Sequence, residues 1–391
     1  MATWALWAAL AFVSVVIVEL IRMNLLLIRS LGQEQELEPA GQACHSATVP
    51  LVSVVIPAKD EEDHIESALR SVQNSEYRNI EIIIVNDRSS DRTPEIIERI
   101  AREDPRVRPV SVTHLPAGWT GKTHALFAGA RLASGDLFLF SDADTDLDPT
   151  AIRRAVNHLI RNKLHMLSLY PQFKERRFSE NAVYPHLALG LSSVYPPKVV
   201  NDPRKPGALA SGCFILIAKE AYERVGTWEN FRAEITEDIA MSKSVKAKGF
   251  NLHVMRARHL VRTVPFSGLS EVCRFWKRTF YGGLERSIPL IFRLFTNYVA
   301  LTFLFLVNIF AAVSLLAGSP SWPLIALTAL STAASVMVMI PYGFVVRDEG
   351  GSCWYGLTAP LGVVISAWVA ATALFAIVSR RGIEWRGSTY T

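Results

Sequence analysis

Long apolar runs stand at both ends of the 391-residue chain, and a mixed, periodic pattern fills the middle. The run over 4–28 is long enough to span a membrane and lacks the positive leader of a cleaved signal peptide, so it predicts an anchor within 1–30. Glu19 and Arg22 interrupt it three residues apart, a spacing that lets them pair on one helix face. Three further candidates follow inside 294–379, at about 294–317, 323–346 and 353–378, separated by GSPS at 318–321 and RDEGG at 347–351. Just before them, residues 269–290 are amphipathic and basic, with Trp276, Lys277 and Arg278, which predicts a segment lying at a membrane surface.

The middle reads differently. VSVVIPA (52–58) is a near-continuous apolar run, as expected of a strand buried on both faces. Helical periodicity follows over 62–73, then a strand in IEIIIVND, a helix over 93–103 and a strand in VRPVSVT (107–113). A helix rich in small residues spans 122–132, and DLFLFSDAD gives a fourth strand before a helix opened by Pro149. Strands alternating with helices predict an α/β domain over about 50–268, a mostly parallel sheet with helices on both faces.

Half of the residues are hydrophobic, an excess concentrated in the two ends. The net charge of +5 is better explained by the flanks of the apolar runs than by nucleic acid. Arg22, Arg29, Arg274, Lys277, Arg278, Arg286 and Arg293 cluster there, where cations meet lipid head groups. That distribution places the central domain on the cytoplasmic side of a cell membrane crossed several times. Three C-terminal crossings would then put Arg380, Arg381 and Arg386 outside, against the same rule; a re-entrant segment broken at Pro341 or Pro360 would resolve the conflict. Cys44, Cys213, Cys273 and Cys353 show no paired spacing, which argues against a disulfide framework or structural zinc. The turn after the first strand, PAKDEED, has no glycine, so a nicotinamide cofactor is not expected, and no phosphate-binding lysine loop is present.

Three acidic clusters carry the chemistry: Asp87, the pair Asp142 and Asp144, and Glu237 with Asp238. The first two lie at the C-terminal ends of strands, the edge where an open α/β sheet binds ligands. Asp-Ala-Asp offers hard oxygen ligands for a divalent cation that could clamp a diphosphate. The bland alternatives are also physical. Asp87 could cap a helix, Asp146 and Asp148 fit a solvated loop, and acids at 237 and 238 would suit a helix N-terminus without any chemistry.

Six motifs in order, SVVIPAKDEEDHIESALRSV, VNDRSSDRT, GKTHALFAGA, FSDADTD, ASGCFILIAKEAY and ITEDIAMS, resemble those of a family 2 glycosyltransferase with a GT-A fold, over about 50–290. LPAGWTGK and GIEWRGSTY look like a narrower subgroup, the membrane-bound hopanoid-associated and carotenoid glycosyltransferases. The resemblance implies that Pro57, Ala58 and Glu61 line the nucleoside pocket and Asp87 meets the base of a nucleotide-sugar donor, a UDP-sugar suiting its carboxylate. It implies diphosphate contact for Lys122, ribose or sugar contact for Asp142, Mg²⁺ or Mn²⁺ on Asp144, sugar or acceptor near Gly212, and Asp238 as general base. Arg278 is a further candidate for the donor phosphates. The expected function is inverting sugar transfer to a lipid hydroxyl; transfer to a polyprenyl phosphate, or a non-catalytic membrane protein on the same scaffold, are its rivals. Two departures stand out. Asp60 replaces an expected Asn, and RFWKRTFYGG stands where processive synthases carry an Arg-Trp motif, which favours transfer of a single sugar.

Overall fold

The computed structural model of the chain describes residues 2–31, 37, 49–318, 320–385 and 388–390. Cys44, Arg386 and the side chains of Arg29 and of 384–391 lie outside the described residues. Two compact units emerge, one of 34–175 with 195–264, the other of 1–33, 176–194 and 265–391.

The first unit contains strands β1 (Val52–Ala58), β2 (Ile80–Asp87), β3 (Val107–Val112), β4 (Leu137–Phe140), β5 (Thr145–Leu147), β6 (Met166–Tyr170), β7 (Gln172–Phe173), β8 (Ile215–Ala218), β9 (Leu252–Arg256) and β10 (Val261–Thr263). Seven form one sheet in the order β3-β2-β1-β4-β8-β6-β9, and β5-β10-β7 form a smaller one. β1 to β4 run parallel, whereas β8 runs antiparallel to both its neighbours. The chain builds outward from β1 to β3 on one side and then resumes with β4 on the other. The carboxyl ends of β1 and β4 therefore flank the crevice where such sheets take ligands.

β1 is buried on both faces because helices cover both. Val52, Val54 and Ile56 join one core with Ile65, Leu69, Ile97, Ile100 and Ile152, from the helices Ile65–Gln73, Thr93–Glu103 and Ala151–Arg161. On the opposite face lies the helix Gly121–Ala130, and its small residues have a packing reason. A Cβ at Gly129 would fall 2.5 Å from Val55 Cγ1 and 2.9 Å from Val85 Cγ2, so the helix sits closer to the sheet than any side chain would allow. Two helices start later than periodicity predicts. Residues 60–64 form a turn, in which the Glu61 carbonyl accepts from the N–H groups of His64 and Ile65. At the other, Asp148 accepts from Thr150 N at 2.9 Å, delaying the helix to Ala151. The sequence pattern assigns no strand beyond that helix, and so omits β6, β8 and β9, which are only four or five residues long.

The second unit holds four helices long and apolar enough to cross a membrane: Trp4–Leu25, Ile288–Ala317, Trp322–Asp348 and Cys353–Val378. Glu19 and Arg22 do pair, with Nε–Oε2 at 2.8 Å. Neither proline breaks a segment. Pro341 lies inside a continuous helix, and Pro360 opens the regular helix Ala359–Val378, where its missing N–H costs nothing. Arg176–Val194, which the hydropathy pattern leaves inside the central domain, packs within this unit instead. The His186 ring stacks on Tyr342 at 3.9 Å, the Tyr298 hydroxyl donates to the His186 carbonyl at 2.9 Å, and the Tyr342 hydroxyl donates to the Asn181 carbonyl at 2.8 Å. Trp276 is also turned inward, edge-on to Tyr184 at 5.2 Å, rather than offered to head groups.

Candidate active site

The antiparallel direction of β8 brings the separate motifs together. Phe140, the last residue of β4, pairs with Ile215, the first of β8. The turn after β4, with Asp142 and Asp144, therefore lies beside the chain entering β8, with Ser211, Gly212 and Cys213. The Ser141 hydroxyl fastens the two by donating to the Cys213 carbonyl at 3.0 Å. Both carboxylates are felt by Cys213. Burial first, then Asp142 and Asp144, push its thiol well above the usual range.

Lys122 enters from the first turn of the helix Gly121–Ala130. Thr120 caps that helix, its hydroxyl accepting from Thr123 N at 3.2 Å, and Thr120 N donates to the Arg232 carbonyl at 2.8 Å. Thus held, Lys122 Nζ lies 2.6 Å from Asp142 Oδ1 and 3.0 Å from Glu237 Oε1. Burial opposes the ammonium charge, but Asp142 and Glu237, with help from Asp238, outweigh it and hold Lys122 protonated beyond the ordinary lysine range.

Glu237 and Asp238 open the helix Glu237–Ala247, where the macrodipole favours carboxylates. Gly212 N–H donates to Asp238 Oδ2 at 3.0 Å, and Ile239 N–H to Oδ1 at 2.8 Å, fixing the orientation of the carboxylate. Gly212 itself is tightly placed, since a Cβ there would fall 2.9 Å from Lys122 Nζ. Lys122, Asp142, Gly212, Glu237 and Asp238 therefore share one centre. In the sequence Glu237 has no role beyond a helix start, because its ion-pair partner Lys122 stands far away in the chain.

Asp87, at the end of β2, is buried and adjoins the same helix start. A Cβ on Gly121 would fall 2.6 Å from its Oδ2. Next to it, burial holds the His124 imidazole below the ordinary range while Asp87 pulls the other way, and Trp119 meets His124 edge-on at 5.3 Å. Pro57 and Ala58 close β1 beside Val85 and Asn86. Glu61 N donates to Thr93 Oγ1 at 2.8 Å, tying the loop after β1 to the start of the helix Thr93–Glu103. Asp146 is occupied elsewhere, paired with Lys174 at 2.8 Å, and Asp148 accepts from Thr150 N in the turn before the next helix. Arg278 belongs to the other unit, its guanidinium 5.1 Å from the Phe275 ring centroid.

The donor set suits a hard cation. Among the described residues, no three His, Cys, Asp or Glu side chains converge on one metal position. Mg²⁺ needs no such cage, since it is held by one or two carboxylates and completes its shell with phosphate oxygens and water. Asp144, beside Asp142 and accepting from Thr145 Oγ1 at 3.3 Å, fits that role.

Residues 53–226 match the Glycosyl transferase family 2 profile. Similar curated proteins include an uncharacterized glycosyltransferase of Haemophilus influenzae, 34% identical over 29% of this chain and 34% of that protein. A 4,4'-diaponeurosporenoate glycosyltransferase of Staphylococcus haemolyticus is 34% identical over 26% of each chain. A poly-beta-1,6-N-acetyl-D-glucosamine synthase of Staphylococcus epidermidis is 30% identical over 49% of this chain and 44% of that protein. The chain thus matches less than half the length of each of these relatives. Among solved structures, a mannosyltransferase of Pyrobaculum calidifontis, in complex with GDP-Man and Mn²⁺, superposes with a TM-score of 0.54 at 17% identity, covering 94% of this chain and 99% of that one. Residues 53–226 thus match a family 2 glycosyltransferase domain, and the chain has the GT-A fold.

Proposed function

We propose that the protein transfers one sugar, with inversion, from a nucleotide-sugar donor, UDP-linked, to the hydroxyl of a membrane lipid. The observation that carries this reading is the centre where Lys122 spans Asp142 and Glu237 beside an Asp238 oriented by Gly212. Asp238 takes the proton of the acceptor hydroxyl as its oxygen attacks the anomeric carbon. Lys122, held charged, stabilises the negative charge that grows on the departing diphosphate. A divalent cation on Asp144 would supply the same neutralisation when bound. Pro57, Ala58, Glu61 and Asp87 would line the nucleoside pocket, with Asp142 and Gly212 near the sugar.

Four helices of membrane-spanning length support a lipid acceptor, as does the carotenoid named in the Staphylococcus haemolyticus relative; a hopanoid or carotenoid is the class we favour. The basic flanks of those helices support a cytoplasmic position for the sheet domain. The test separates chemistry from binding. Asp238→Asn keeps the shape but removes the base, so turnover should fall by roughly 10²-fold or more. UDP binding, measured by calorimetry with Mn²⁺ present, should be nearly unchanged. A collapse of UDP affinity instead would put Asp238 in the donor pocket and the base elsewhere.

A further inference from the structure

Arg88 sits directly against the carboxylate expected to read the nucleobase. Its Nε donates to Asp87 Oδ1 at 2.8 Å and its Nη2 to Oδ2 at 3.1 Å, a two-pronged pair formed by adjacent residues. Arg88 adopts φ 58°, a left-handed conformation uncommon for an arginine. Strain of this kind persists where the surroundings impose it, and it concentrates at ligand sites. Here the Asn86 side chain accepts from Ser89 N at 3.2 Å, closing the turn. Gly121 then closes over the pair, since a Cβ there would fall 2.6 Å from Asp87 Oδ2 and 3.3 Å from Arg88 Nη2.

We infer that Arg88 sets base specificity, selecting uracil over guanine by occupying one face of the Asp87 carboxylate. This inference rests on the donor reading given above. An ionised carboxylate has about four lone-pair positions, and the arginine fork takes one on each oxygen. Guanine presents N1–H and N2–H side by side and needs those same two positions. Uracil presents a single imide N–H flanked by carbonyl oxygens, so one remaining lone pair serves it. Hydrogens of the guanidinium not turned to Asp87 then supply the donor that a uracil carbonyl needs. Cytosine and adenine carry no N–H at the equivalent ring position and satisfy neither half of the pattern.

The test uses the full-length protein in detergent with Mn²⁺, titrated with UDP and with GDP. The wild type should prefer UDP by roughly tenfold or more. Arg88→Gly should erase most of that preference by gaining GDP affinity. Glycine relieves the φ strain but leaves the buried Asp87 carboxylate without its partner, so the melting temperature should fall while the protein stays folded. Arg88→Lys, a point charge without a planar fork, should also lose discrimination. An unchanged UDP-to-GDP ratio in folded Arg88→Gly, or a wild-type preference for GDP, would overturn the inference. Binding of neither nucleotide by the wild type would instead overturn the donor reading beneath it.

Discussion

At the scale of single residues, the acids that carry the proposed chemistry are legible, whereas their partners are not. Asp87, Asp142, Asp144 and Asp238 stand at strand ends or a helix start, positions that sequence periodicity can find. Lys122 meets Glu237 across more than a hundred residues, and Arg88 acts through a backbone angle that composition does not record. The Asp60 departure is explained by geometry. Asp60 has φ 53°, a conformation that Asp and Asn both tolerate, and only its Oδ1 is used, accepting from Ser90 N at 2.7 Å. The amide oxygen of Asn could make the same bond, so the exchange preserves the loop. Gly212 is the most exacting position. Gly212→Ala would drive a methyl group toward Lys122 Nζ and displace the ammonium from Asp142 and Glu237. Turnover should fall by roughly 10–10²-fold with the melting temperature little changed. Wild-type turnover in the alanine variant would show that the lysine is not needed where it rests.

Among elements, the helix Glu237–Ala247 links the candidate site to loop order. Its first turn carries Glu237 and Asp238, while Lys246, near its end, donates to the carbonyls of Val199, Val200 and Gly207 at 3.0, 2.9 and 2.8 Å. The loop pinned in this way runs on into Gly212, so both ends of one helix bear on the same site. Nothing in the sequence announces this, because a lysine in the last turn of a helix reads as an ordinary complement to the macrodipole. Lys246→Met leaves the buried carbonyl of Val200 and the half-buried carbonyls of Val199 and Gly207 without this donor and should cost about 1–3 kcal/mol, read as a lowered melting temperature in detergent. A melt identical to wild type would mean that water replaces the ammonium. The strands show the same division of legibility. β1 and β2 are clear because they are long, apolar and continuous, and β4 because it leads into the acidic motif. β8 is as apolar as β4 and as short, and a run of four such residues reads equally as strand or buried helix.

For the whole molecule, hydropathy locates the apolar ends but misplaces the boundary of the central domain. Arg176–Val194 belongs with the long helices because its partners are there: Tyr298, Tyr342 and the close approach allowed by Gly362. A soluble fragment of about 45–285 would keep this segment and lose all three partners. It should therefore elute as aggregate in size-exclusion chromatography, while the full chain in detergent elutes as a single species. The buried Leu187 and His186 would be the surfaces exposed. A monodisperse fragment that binds UDP would show that the segment tolerates water.

Gly129 has a reach that its own position conceals. It stands at the far end of a stiff rod whose near end holds Lys122, seven residues or about 10 Å away. The missing side chain lets the rod lie flat on Val55 and Val85. A methyl group at Gly129 would act as a wedge, prising up the remote end and turning the near end about the Thr120 cap as a pivot. The ammonium would swing off its two carboxylates although every residue in the centre was intact. Damage of that sort would look like a catalytic lesion in an assay and like a packing change in the sequence.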